Sequence, residues 1–144
     1  MLHWVTDDLA VAAAPGAKRW RDLRGAGVRI AVDLRTADEG GGDAPAVPDL
    51  DYRWLPVADG HAPPASQLLE VSEWLATQLG TRRALISCRE GRGRSALLAC
   101  ATLMQLGYSV WGAYQVVRRG QPNIALSDDQ MRALEGLSTL RGSM

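Results

Sequence analysis

The chain has 144 residues, of which 47% are hydrophobic and 22% charged, and its sixteen basic and sixteen acidic residues cancel to a formal net charge of zero. That length suits one domain with one core, and the composition excludes a disordered chain. A balanced charge gives no global attraction to nucleic acid or to an anionic membrane surface, so neither is expected as a partner.

Two cysteines, Cys88 and Cys100, are too few for a disulfide-scaffolded secreted domain. The opening residues carry no basic stretch followed by an apolar run, and no window approaches the roughly 20 apolar residues that span a bilayer. The expectation is a soluble, cytoplasmic monomer. All basic residues but Lys18 are Arg. Arg suits bidentate contact with oxyanions, although base composition of the coding sequence produces the same excess.

In chain order, Leu9 to Ala12 reads as a short strand and Lys18 to Ala26 as a short helix ending at a glycine. Val28 to Leu34 reads as a strand with Val28, Ile30, Val32 and Leu34 on one face. Residues 38 to 45 form a Gly-rich surface loop. Tyr52 to Val57 is a further strand candidate, which Pro56 weakens or places at an edge. Leu68, Val71, Ser72, Leu75 and Leu79 recur at helical spacing up to Gly80. Arg83 to Ser87 is a short buried strand. Ser95 to Met104 is apolar nearly all round and reads as a buried central helix. Val110 to Arg119 is another helix, broken at residues 120–123. The last helix opens at Ser127, with Gln130 at the capping-box position. This order predicts a single α/β domain over residues 1–144, with a central, mostly parallel sheet of four to five strands flanked by helices.

The chemistry concentrates between the strand ending at Ser87 and the central helix. A thiol becomes a strong nucleophile only as thiolate, and a helix N-terminus together with nearby cations favours that form. Cys88 has both, since Arg89, Arg92 and Arg94 lie within six residues of it. A loop wound between strand end and helix start also presents successive backbone N–H groups to an anion. Gly91 and Gly93 permit the backbone angles such a nest needs. Glu90 completes the loop. Arg94 is placed to fold back and grip two phosphoryl oxygens, and the Ser95 hydroxyl can hydrogen-bond the sulfur. A buried, inert Cys in a tight turn does not call for three neighbouring arginines.

The run Ser87-Cys88-Arg89-Glu90-Gly91-Arg92-Gly93-Arg94-Ser95 resembles the signature loop of the protein tyrosine phosphatases, in their small dual-specificity branch. Trp4 to Val11 is similar to the opening strand of that branch, and Val28 to Arg35 to its Val-Asp-Leu-Arg strand. The spacing from Asp59 to Cys88, and Gln121-Pro122-Asn123 with Gln130 beyond, fit as well. The resemblance implies a metal-free and cofactor-free phosphomonoester hydrolase with a cysteinyl-phosphate intermediate. Cys88 would attack phosphorus, Arg94 would bind the phosphoryl oxygens, and Ser95 would assist departure of the sulfur. Residues Arg89, Glu90, Gly91, Arg92 and Gly93 would line the substrate site. Asp59, in a loop between strand and helix, matches the family's proton donor; alone it also reads as a turn-forming Asp-Gly pair. His61, two residues on, is the rival donor. Gln130 is either a helix cap or, as in some members, the residue that orients the hydrolytic water.

One departure stands out. The family has His immediately before the nucleophile, where this chain has Ser87, so Cys88 is expected to be less activated than usual. Arg35 reads as a structural ion-pair partner and Cys100 as core. The extra arginines Arg89 and Arg92 fit either solvated charges or a preference for non-protein phosphates such as phosphoinositides, nucleotides or RNA ends. A rhodanese-like sulfurtransferase has a shorter loop, and a non-catalytic phosphate-binding module would lack the Cys, the Arg or the acid.

Overall fold

Strand-forming and helix-forming segments alternate along the chain, and the computed structural model, which describes residues 2–142, assembles them into three layers. The first two strands, β1 (Leu2–Trp4) and β2 (Leu9–Ala13), form an antiparallel hairpin with Leu2 opposite Ala12. The residues from Trp4 to Val11 are therefore not one strand. Thr6 turns the chain between them, because its hydroxyl accepts from the backbone N–H groups of both Asp8 and Leu9.

Helix α1 (Ala17–Gly25) leads to β3 (Val28–Asp33). A single 3-10 turn, Ala37–Glu39, precedes β4 (Asp51–Trp54), and α2 (Ala65–Gln78) leads to β5 (Arg83–Cys88). Helices α3 (Arg94–Gln105), α4 (Val110–Gly120) and α5 (Asp128–Gly142) complete the chain. The sheet order is β1-β2-β5-β3-β4, with β2, β5, β3 and β4 mutually parallel. This is the expected mostly parallel α/β sheet; β4 lies at its edge and ends at Trp54, short of the expected Val57 and before Pro56.

Alternation along the strands divides the core in two. Val11, Ile30, Val32 and Ile86 face the large core with α3, whose residues from Arg94 to Met104 are all buried. Ala10, Ala12, Ala31 and Leu85 face the smaller one, with Trp20 and Leu23 of α1. Val28 belongs to this second face and not with Ile30. A register irregularity between Val28 and Ile30 inserts an extra residue and flips its side chain across the sheet. Among the described residues no helix is long and apolar enough to cross a membrane.

Candidate active site

The central strand β5 delivers Cys88 at its carboxyl end, and α3 begins six residues later at Arg94. The strand end is fixed from both sides: Leu34 N–H donates to the Ser87 carbonyl and Ala14 N–H to the Cys88 carbonyl, each at 2.9 Å. The loop then turns so tightly that Gly91 N–H donates to Cys88 Sγ at 3.2 Å. Gly91 has φ +73°, and a Cβ there would stand 2.4 Å from the Ala12 backbone, so the turn excludes any other residue. Gly93 differs from expectation. Its φ of −115° is ordinary, and its smallness serves close packing against the Ala125 carbonyl.

Behind the loop, residues 121–125 act as a buttress. Gln121 Nε2 donates to the Gly91 carbonyl, Ala125 N–H to the Arg92 carbonyl, and Arg92 Nε to the Asn123 carbonyl. Among the described residues the N–H groups of Arg89, Glu90, Arg92 and Gly93 have no partner. Of these, Glu90, Arg92 and Gly93 line one small cavity with Cys88 at the positive end of α3, a setting that favours an anion.

Cys88 is buried, and its sulfur lies 3.3 Å from Ser95 Oγ. The thiol donates to the hydroxyl in that contact, and with a thiolate the direction reverses. Cys100 lies in the middle of α3, buried in the core, and desolvation pushes its thiol up to about 12. The two cysteines thus divide into one lining a cavity and one sealed in apolar packing.

Arg94 folds back across the loop, as expected, but what holds it was not legible in the sequence. Its Nη1 donates to the carbonyls of Val57 at 2.7 Å and Leu34 at 3.4 Å. The guanidinium also forms a fork with Glu39, from Nη1 to Oε1 at 2.6 Å and from Nη2 to Oε2 at 2.9 Å. Those bonds hold the Glu39 carboxyl down to about 2 and raise Arg94 above its ordinary value. The Arg94 side chain is 2% exposed, and its Nε makes no hydrogen bond. A buried, unpartnered guanidinium N–H is costly in a finished structure, and here it faces the same cavity as Cys88.

Glu39 sits in a segment that reads as a plain surface loop. It is shaped by a capping box, in which Thr36 N–H donates to Glu39 Oε1 at 2.9 Å. The segment is further pinned by Trp54 Nε1 donating to the Arg35 carbonyl and by Gly42 N–H donating to Tyr52 Oη. Arg35 itself pairs with the buried Asp33 at 3.0 Å, the structural role expected of it. The sequence signal for Glu39 was the Thr36–Glu39 spacing, which marks a cap without revealing the distant arginine.

The cavity above Cys88 has a volume of about 190 Å³ and is lined by Asp59, Glu90, Arg92, Arg94, Ser127 and Gln130 among others. Asp59 is 83% exposed at the mouth, its Oδ1 3.8 Å from Arg94 Nε. His61 does not line the cavity; its Nδ1 lies 3.5 Å from Asp129 Oδ2. The Asp59 loop is tied to the start of α5. Ser127 Oγ donates to the Gly60 carbonyl at 2.7 Å, and Gln130 Nε2 to the His61 carbonyl at 3.1 Å. Gln130 also completes the expected capping box with Ser127 through bonds of 2.9 and 3.1 Å. Arg89 is exposed, whereas Arg92 stands at the rim, 3.9 Å from Glu90. Among the described residues no cluster of His, Cys, Asp and Glu could hold a metal ion.

The family model of cyclin-dependent kinase inhibitor 3 (CDKN3) matches residues 50–116, which include Asp59 and the whole Cys88 loop. No curated protein matches the chain. Several solved structures do. Tk-PTP in its active form is 24% identical, with 96% of each chain covered and a TM-score of 0.80. Human DUSP28 is 22% identical over the full length of both chains, with a TM-score of 0.86. PTPMT1 in complex with PI(5)P is 16% identical, covering 99% of this chain and 97% of its own, with a TM-score of 0.87. The family-model match falls short of half the chain, and the solved structures show that the chain has the fold of these phosphatases.

Proposed function

We propose that this chain is a cysteine-dependent phosphomonoester hydrolase. The observation that carries the reading is the unpartnered Arg94 Nε, buried beside Cys88 in a loop of free N–H donors. A phosphoryl group over the sulfur would receive that N–H, the loop N–H groups and the free side of Nη2. The Cys88 thiolate attacks phosphorus, an S–P bond forms and the ester P–O bond breaks. Asp59 gives its proton to the departing oxygen. Water then attacks the phosphocysteine, its proton returns to Asp59, and the S–P bond breaks to release orthophosphate. Ser95 donates to the sulfur as it leaves. Gln130 already spends both ends of its amide on Ser127 and His61, which supports the cap and clamp role over water positioning.

The experiment is hydrolysis of p-nitrophenyl phosphate in the presence of EDTA. Wild type turns over, and Cys88→Ser loses activity while still binding inorganic phosphate. Metal-independent turnover no greater in wild type than in Cys88→Ser overturns the reading.

A further inference from the structure

Helix α4 stops at Gln121, which stands immediately before Pro122 and has left helical geometry, at φ −129° and ψ 89°. Its own N–H still closes the last turn by donating to the Val117 carbonyl at 2.8 Å. The side chain therefore leaves a fixed backbone and reaches back to the Cys88 loop. The residue is 4% exposed, and both ends of its amide are used. Nε2 donates to the Gly91 carbonyl at 3.3 Å, and Oε1 accepts from Asn123 N–H at 3.1 Å. A carbonyl at one end and an N–H at the other admit only one orientation of that amide.

A trans peptide points its carbonyl and its N–H in opposite directions. The Gly91 carbonyl and the Arg92 N–H belong to one peptide unit, so whatever holds the first aims the second. In the next unit, Ala125 N–H holds the Arg92 carbonyl at 2.8 Å and so aims the Gly93 N–H. Arg92 and Gly93 line the cavity with Cys88, and neither N–H has a partner among the described residues. Backbone alone fixes the Gly93 donor, whereas the Arg92 donor depends on one side chain. Gly91 is also pressed against β2, where a Cβ would meet the Ala12 backbone at 2.4 Å, so the loop has no room to withdraw from Gln121 on that side.

We propose that Gln121 is a positioning residue for the phosphate loop, aiming the Arg92 N–H at the oxyanion through the Gly91–Arg92 peptide without touching the substrate. The inference rests on the hydrolase reading for what the loop binds. Donation to the Gly91 carbonyl also polarises the peptide, which makes its N–H a stronger donor to an anion, and a bound anion strengthens the Gln121 bond in return.

The test is titration of the ¹⁵N-labelled protein with inorganic phosphate, followed by NMR, in wild type, Gln121→Glu and Gln121→Met. Glu keeps the shape and the acceptor for Asn123 but turns a carboxylate to the Gly91 carbonyl. Met keeps the length and removes both bonds. Phosphate affinity should fall about tenfold in each, the worth of one hydrogen bond in a charged site. At saturation the phosphate-induced shift of the Arg92 N–H should shrink, while that of the Gly93 N–H, aimed by Ala125, should persist. A readout in wild type needs no variant to fold: phosphate should move the Gln121 side-chain amide resonance, although that amide lies behind the loop and outside the cavity. Wild-type affinity in either variant, equal loss of the Arg92 and Gly93 shifts, or a Gln121 amide blind to phosphate overturns the proposal. Those outcomes leave the hydrolase reading standing, because they concern binding and not turnover. A wild type that binds no phosphate overturns both.

Discussion

Glu39 and Arg94, 55 residues apart in sequence, are joined by two hydrogen bonds of 2.6 and 2.9 Å that hold the guanidinium over the Cys88 loop. The carboxylate is 14% exposed and the arginine 2%, so each would be an uncompensated buried charge without the other. Glu39→Gln keeps the shape and removes the charge. It should lower kcat/KM for an aryl phosphate by about 10- to 100-fold, the range for one hydrogen bond to a charged group. Inorganic phosphate binding should weaken in parallel, because a less constrained Arg94 serves both.

The same pair sets an acid limit on stability. The Glu39 carboxyl is held near 2 in the folded chain, below its ordinary 4.5. A depressed carboxyl contributes stability that is fully present above the ordinary value and lost as pH falls through the folded value. The contribution is about 3 kcal/mol at most, by linkage from that shift. Urea denaturation between pH 6 and pH 2 should show wild type losing this increment below roughly pH 4.5, with Glu39→Gln correspondingly flatter. Parallel curves for the two proteins would refute the assignment.

Gly91 tests the loop from the other side. A Cβ at this position meets the Ala12 and Ala13 backbone at 2.4 and 2.5 Å, and neither strand end can yield without disturbing the sheet. Gly91→Ala also forces a side chain into φ +73°. It should destabilise the protein by about 1–3 kcal/mol and cost more activity than stability, because Gly91 N–H is a direct contact of the sulfur. Gly93→Ala, at an ordinary φ, should be the milder change. Thermal melts and aryl phosphate turnover of the two variants decide the order.

Much of this was readable from periodicity and local chemistry. The central strand, the buried helix and the loop between them are contiguous in sequence, so apolar runs and glycines reveal them. The Ser127–Gln130 cap is equally local, and the structure contains it. What escaped is non-local or depends on register. Glu39 meets Arg94 only because Trp54 and Tyr52 of the edge strand pin its loop. Val28 changes face because of one extra residue, which alternation alone cannot register. The first hairpin was hidden by Thr6, whose side chain makes a turn inside a segment of strand-forming residues.

The clamp on the Asp59 loop predicts a separable effect. Ser127 Oγ donates to the Gly60 carbonyl and also caps α5 by accepting from Gln130 N–H. Ser127→Ala should cost about 1 kcal/mol of stability, as caps do. If the clamp positions Asp59, turnover of alkyl phosphates should fall further than that of p-nitrophenyl phosphate, whose leaving group needs little help. Equal losses on both would mean that the contact is a cap alone.

Asp59 and His61 are rivals for the proton donor, and geometry separates them. Asp59 lines the Cys88 cavity within 3.8 Å of Arg94 Nε, whereas His61 reaches toward Asp129 outside it. A proton donor must come within hydrogen-bond reach of the departing oxygen, and only Asp59 borders the volume where that oxygen would lie. Asp59→Asn should therefore lower kcat for poor leaving groups by about 100- to 10,000-fold, the usual range for a general acid, and leave phosphate binding intact. For p-nitrophenyl phosphate the loss should be much smaller, because its leaving group needs little protonation. His61→Ala should stay within a few-fold of wild type on both substrates. Unchanged turnover in Asp59→Asn together with a large loss in His61→Ala would transfer the role, and the His61–Asp129 contact would then become the pair that orients the donor.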